Sequence, residues 1–187
     1  MAVKNILLLA TALVAMPVAA QNFTVDPKHT YPSFEVSHFG FSVFRGKFDK
    51  TTGKATLDRA AKKGSVEVAT DVASVNTGNA KLNEHLRSPD FLDVAMFPTL
   101  QFKSDDFKFD GDKVTSVNGH LTIRDVTKPV TLTVRSFHCG PHPLTKKEAC
   151  GIDAVTSIKR SDYGIKYGLP GVGDEVKIAI EMEALTE

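Results

Sequence analysis

The stretch Val176-Lys-Ile-Ala-Ile-Glu-Met-Glu-Ala184 decides the fold class. Val176, Ile178, Ile180, Met182 and Ala184 share one face of an extended chain, while Lys177, Glu181 and Glu183 occupy the other. Successive side chains of a strand point to opposite sides, so this is the pattern of a half-buried β-strand. Val130, Leu132 and Val134 alternate in the same way with Thr131, Thr133 and Arg135. The same reading predicts strands over Phe34–His38, Val43–Phe48, Lys54–Leu57, Ser65–Asp71, Thr99–Phe109, Lys113–Ile123 and Ala149–Lys159. Thr52-Gly53, Lys63-Gly64 and Asp110-Gly111 read as turns between them, the last being a strong hairpin dipeptide. Many antiparallel strands with short turns predict an all-β barrel or sandwich. Two segments break the pattern. Asn79 to Ser88 carries Leu82 and Leu86 at i, i+4 among charged residues, which predicts a short amphipathic helix stopped by Pro89. Tyr163–Gly173, with five glycine or proline positions from Gly164 onward, reads as a loop.

A chain of 187 residues with 42% hydrophobic side chains suits one core and one domain. Lys+Arg 23 against Asp+Glu 22 argues against nucleic acid as a partner. Residues 1–20 read as a cleaved secretory leader, with Lys4, an apolar centre from Ile6 to Val14, Pro17, and small residues at Val18-Ala-Ala20. The apolar run falls short of the roughly 20 residues that span a bilayer. The expectation is a soluble periplasmic protein without stable membrane insertion, its single domain being residues 21–187. Cys139 and Cys150 flank a Pro-rich polar loop, and an oxidising compartment favours a disulfide between them. A metal site from His138, Cys139, His142 and Cys150 is the alternative, but the spacing matches no familiar zinc pattern, and no metal is expected.

No catalytic pattern survives inspection. Gly40-Phe-Ser-Val-Phe44 lacks the final glycine of a nucleophile elbow and lies in strand context. The glycines of Gly168–Gly173 have the wrong spacing for a dinucleotide fingerprint, and no P-loop Lys-Ser/Thr follows. Asp105, Asp106, Asp110 and Asp112 bracket a hairpin and lack the Glu that closes a calcium loop. The expectation is a protein that is not an enzyme, with no catalytic residues.

Several stretches, in a fixed order, carry a family likeness: Phe34-Glu-Val-Ser-His38, Ser42-Val-Phe-Arg-Gly-Lys-Phe48, Leu82-Asn-Glu-His-Leu-Arg-Ser88, Phe91-Leu-Asp93, Phe97-Pro98 and Phe102-Lys-Ser104. Gly119-His-Leu-Thr-Ile123, Val126-Thr-Lys-Pro-Val130, Asp162-Tyr-Gly-Ile-Lys-Tyr-Gly168 and Val172-Gly-Asp-Glu-Val176 continue the series. From about Phe23 to Ala184 the chain resembles the YceI-like family of exported proteins that bind polyisoprenoid lipids. It departs at Arg124-Asp125, where the family commonly has a glycine, and this bears on the geometry of that turn. The resemblance implies an extended antiparallel eight-stranded lipocalin-like β-barrel with one or two short helices. It also implies an apolar tunnel for an isoprenoid chain, and it admits a homodimer. True lipocalins carry a G-x-W signature, which a chain with no Trp cannot have.

An eight-stranded barrel either fills with side chains or holds one small ligand. A strand such as Asp174–Ala184 runs roughly 36 Å at about 3.3 Å per residue, and roughly 28 Å along the axis of a barrel tilted by about 40°. Such a cavity suits a chain. The tunnel-lining candidates are Phe34, Val36, Phe39, Phe41 and Val43, with Ile123, Leu132, Ile178 and Ile180 behind them. His38, Arg45, His85, Arg124 and Lys166 are the polar candidates for a quinone or phosphate head group; arginine would suit a phosphate through bidentate contacts. The function expected is a non-enzymatic periplasmic carrier of a polyprenyl lipid or isoprenoid quinone, with no cofactor besides that ligand. The alternatives are an enzyme acting on such lipids and a filled barrel that works through its surface.

Overall fold

The computed structural model describes residues 20–187; the expected leader lies outside them except for Ala20. Eleven strands run in chain order: β1 (Gln21–Val25), β2 (Tyr31–His38), β3 (Ser42–Phe48), β4 (Thr51–Asp58), β5 (Lys63–Asp71) and β6 (Val75–Asn76), then β7 (Thr99–Asp110), β8 (Lys113–Ile123), β9 (Val126–Pro141), β10 (Glu148–Lys159) and β11 (Val172–Thr186). Among the described residues, one helix, α1 (Ala80–Arg87), and single 3₁₀ turns at Val72–Ser74 and Arg160–Tyr163 complete the elements. Every strand pairing is antiparallel. Strands β1, β4, β5 and β7 to β11 close into an eight-stranded barrel, sealed where Val25 of β1 faces Ala184 of β11.

Strand β11 organises the closure. One edge pairs with β10 from Lys159↔Glu175 to Ala149↔Leu185. Its other edge takes β2 up to Glu181↔Tyr31 and then β1 from Ala184 onward. Between the two, residues 26–30 leave the ladder and would orphan the main chain of Glu183. The Asp26 N–H donates to the Glu183 carbonyl at 2.8 Å, and the buried Thr30 hydroxyl bridges the Glu183 N–H and C=O at 3.3 and 3.4 Å. The hairpin β2–β3 thus lies outside the closed ring and extends the wall along the Val172–Glu181 part of β11, with β3 held on its far side by the short β6 at Lys47↔Asn76 and Phe48↔Val75.

The alternation read from β11 holds around the barrel. One buried cluster joins Phe23, Leu57, Val66, Phe102, Val114, Val117, Leu132, Ala154 and Ala184. A smaller one joins Ile123, Tyr163 and Ile165 beneath Phe91, Leu92 and Leu100. The predicted helix forms, with the Asn79 side chain accepting from the Lys81 and Leu82 N–H groups as its N-cap. Asp110-Gly111 makes its hairpin, Gly111 taking φ +56°. The other two predicted turns are corrected: Thr52-Gly53 lies inside β4, with Gly53 opposite Val68, and Lys63-Gly64 opens β5. These glycines serve close packing. A Cβ on Gly53 would strike the Glu67 carbonyl, and one on Gly64 would enter the Phe107 ring. The actual turn before β5 centres on Lys62, at φ +54°.

The cysteines form the expected disulfide, Cys139 standing directly opposite Cys150 across β9 and β10. Neither thiolate is therefore free to bind a metal. The Arg124-Asp125 turn forms without the family's glycine: Arg124 adopts φ +58°, its guanidinium 3.8 Å from Asp93 Oδ2 and 5.4 Å from the centre of the Phe97 ring.

Candidate functional site: an apolar cavity along the barrel

The inward-facing residues line a partly open cavity of about 280 Å³, just below the roughly 300–1,000 Å³ usual for drug-sized ligands. The barrel is therefore hollow but thin-bored. Strand β11 contributes Val176, Ile178, Ile180, Met182 and Ala184, and β10 contributes Ile152, Ala154, Thr156 and Ile158. The lining thus follows single strands for most of their length. At one end it reaches Val172, Phe91 and Leu86; at the other it reaches Cys150, Ala184 and Phe23.

The lining is apolar even where polar residues contribute to it. The Thr51 and Thr70 hydroxyls bond each other at 3.0 Å, and Thr56 bonds Ser65 at 2.7 Å. With those hydroxyls satisfied, the threonines present methyl groups to the bore. Arg160 is the one charged side chain in the lining. It is 5% exposed and spends its guanidinium on backbone carbonyls: Nε on Gly173 at 2.8 Å, Nη1 on Ile165 and Tyr167 at 3.1 and 2.9 Å, and Nη2 on Val172 at 2.8 Å. Burial holds its pKa below the ordinary arginine value, with the Asp174 carboxylate opposing that effect. Asp174 accepts from both the N–H and the hydroxyl of Ser161, and these bonds hold its pKa below the usual carboxylate range. Arg160 thereby ties the glycine-rich loop to the end of the barrel.

Of the predicted lining residues, Phe34, Val36, Ile123, Leu132, Ile178 and Ile180 face the cavity. Phe39, Phe41 and Val43 do not. Residues directly opposite each other share a face, and Val43 pairs with Ser37, while Phe44 and Gly46 pair with the inward Val36 and Phe34. Val43 therefore belongs to the outer face, and Phe39 and Phe41 lie in the turn between the two strands.

The polar candidates do not converge. Arg45 lies on the outer face of the hairpin, its Nε 2.8 Å from Glu35 Oε1. His38 stacks on Phe44 at the end of β2, the ring centres 4.0 Å apart. Arg124 is held by Asp93. His85, with Nε2 3.1 Å from Asp90 Oδ2, meets Phe91 and Tyr167 edge-on at 4.9 and 5.0 Å. Lys166 is exposed beside Tyr167. His85 and Lys166 thus sit near one mouth of the cavity, and none of the five lines it. Sequence reasoning missed Arg160, together with Phe102, Phe107, Phe137 and the capping Leu86 and Phe91. The signal for Arg160 was parity: it continues the alternation of Ala154, Thr156 and Ile158 one residue past the end of β10.

A closed, eight-stranded antiparallel barrel around a long apolar bore defines the class, a lipocalin-like barrel. The family model described as the YceI-like domain matches residues 23–184. The chain belongs to the YceI-like family. It is 36% identical over 173 residues to Protein YceI of Escherichia coli O157:H7, covering 90% of this chain and 88% of that one. Among solved structures, Burkholderia cenocepacia BcnA superposes with a TM-score of 0.71 at 26% identity, covering 85% of this chain and 98% of that one. A polyisoprenoid binding domain from Saccharophagus degradans implicated in plant cell wall breakdown superposes with a TM-score of 0.67 at 16% identity, covering 88% and 98%, and so shares the fold.

Proposed function

We propose that the chain is a non-enzymatic binding protein, a periplasmic carrier or reservoir that holds one isoprenoid lipid, polyprenyl or isoprenoid quinone, along its bore. The observation that carries this reading is the lining: apolar surface follows β10 and β11 almost end to end, interrupted by one charge already committed to backbone carbonyls. Such a surface rewards a flexible hydrocarbon at about 0.8 kcal/mol per buried CH₂ and offers a compact polar metabolite little. The polyisoprenoid binding of the Saccharophagus degradans domain supports the ligand class. Delivery to the periplasm would follow removal of residues 1–20.

Organic extraction of protein purified from its own periplasm, with mass spectrometry of extract and intact protein, tests the reading. A stoichiometric polyprenyl or quinone species is expected, and the intact mass also reads monomer against homodimer. A lipid-free protein that takes up no added isoprenoid would overturn the reading. Ala154 is buried against the bore in mid-strand, so Ala154→Phe should block it. Uptake should fall at least about tenfold, while overpacking should lower Tm by about 2–12 °C. Undiminished uptake by this variant would place the ligand elsewhere.

A further inference from the structure

The three residues that the structure moves out of the lining, Phe39, Phe41 and Val43, form an exposed apolar rim with Tyr167. Phe41 is 92% exposed, Phe39 58%, Tyr167 50% and Val43 43%. Scattered exposed apolar residues are ordinary, whereas a cluster beside a cavity calls for a partner. The rim is rigidly built. The Phe39 N–H donates to the Gly171 carbonyl at 2.7 Å, and its ring covers Gly171 where a Cβ would collide. The His38 ring stacks on Phe44 and meets Phe39 edge-on at 4.7 Å.

Its charge is equally specific. Val36–Phe44 contains no charged residue, and Gly164–Gly173 contains Lys166 alone. These two stretches therefore carry no carboxylate of their own; the nearby Asp90 is paired with His85, the ring that meets Tyr167. The rim also borders the mouth of the bore: Gly171 precedes the lining residue Val172, and Tyr167 packs on the lining residue Phe91 at 5.4 Å.

We propose that this rim docks the barrel onto the surface of a lipid bilayer, placing the mouth of the cavity against the source of its cargo. The inference rests on the carrier reading. Aromatic side chains settle at headgroup depth, and an apolar edge seats about 5–10 Å into the boundary without spanning it. The exposed turn between β2 and β3 supplies such an edge. Lys166, the one charge in these two stretches, suits the negative leaflet of an anionic membrane. A cargo nearly insoluble in water then passes from bilayer to bore without crossing solvent.

The chain has no Trp, so Phe41→Trp creates a single reporter at the rim. With vesicles of phosphatidylethanolamine and phosphatidylglycerol, its emission should shift to the blue and be quenched by brominated acyl chains. Phe41→Ser with Val43→Ser leaves the lining of the bore untouched, since neither residue contributes to it. This double variant should lower the vesicle-bound fraction about tenfold or more and slow transfer of a fluorescent isoprenoid from vesicles, while uptake of the same probe from detergent stays unchanged. Unshifted emission and unaltered sedimentation with vesicles would overturn the docking proposal, even if uptake from detergent proceeds. A blue shift that appears without vesicles and tracks protein concentration would also overturn it, assigning the rim to a second copy. Vesicle binding by a protein that takes up no isoprenoid in any form would sustain docking and sink the carrier reading.

Discussion

The Thr30 hydroxyl is a small group with a large structural duty. It sits 1% exposed at the point where β1 and β2 part, and it is the side chain that reaches both main-chain groups of Glu183. Thr30→Val keeps the shape and removes the hydroxyl, leaving the Glu183 N–H without its partner. An unsatisfied donor at this part-buried position costs about 1 kcal/mol, the low end of the range for a fully buried one. Urea denaturation should show that loss as a lower midpoint with an unchanged slope. A midpoint within error of the parent would mean that Asp26 alone holds the interruption together.

Glycine-rich loops are usually read as slack, but the segment between β10 and β11 is fastened by Arg160. Four carbonyls of that segment and the start of β11 converge on one guanidinium, a planar array of donors that an ammonium cannot copy. Arg160→Lys should therefore destabilise the fold by at least about 3 kcal/mol, because several carbonyls lose charge-assisted partners at once. Amide exchange should accelerate from Tyr167 to Val172 and much less in β7 and β8. Equal acceleration everywhere would show a global effect and remove the loop-fastening account. The same segment shows why sequence was legible only in part. The long strands were readable because one wet face and one dry face impose a period of two, and α1 was readable from Leu82 and Leu86. Strand β1 went unread although it closes the barrel: with five residues it offers only Phe23 and Val25 as a pattern. Gly53 and Gly64 misled because a glycine that admits a neighbouring strand or ring looks the same, in sequence, as one that permits a turn. The hairpin residues misled for a related reason, since an exposed phenylalanine and a buried one share a letter.

The bore has two unlike ends, and this separates stability from access. The end that β11 reaches at Val172 carries the loop, α1 and the aromatic rim. The opposite end carries the β1–β11 seam and the disulfide, with Cys150 facing Cys139 on one side and Ala184 on the other. The bond closes a separation of 11 residues, which by loop entropy amounts to about 3 kcal/mol. For a chain of this length that corresponds to a fall in Tm of about 6–12 °C on reduction. If ligand enters at the rim, the reduced protein, held well below its new Tm, should take up isoprenoid at the parent rate from vesicles. Cys139→Ser with Cys150→Ser should match the reduced protein in both respects. Slowed uptake after reduction, at a temperature where the barrel stays folded by circular dichroism, would instead place the entry at the seam, because that is the end that reduction loosens.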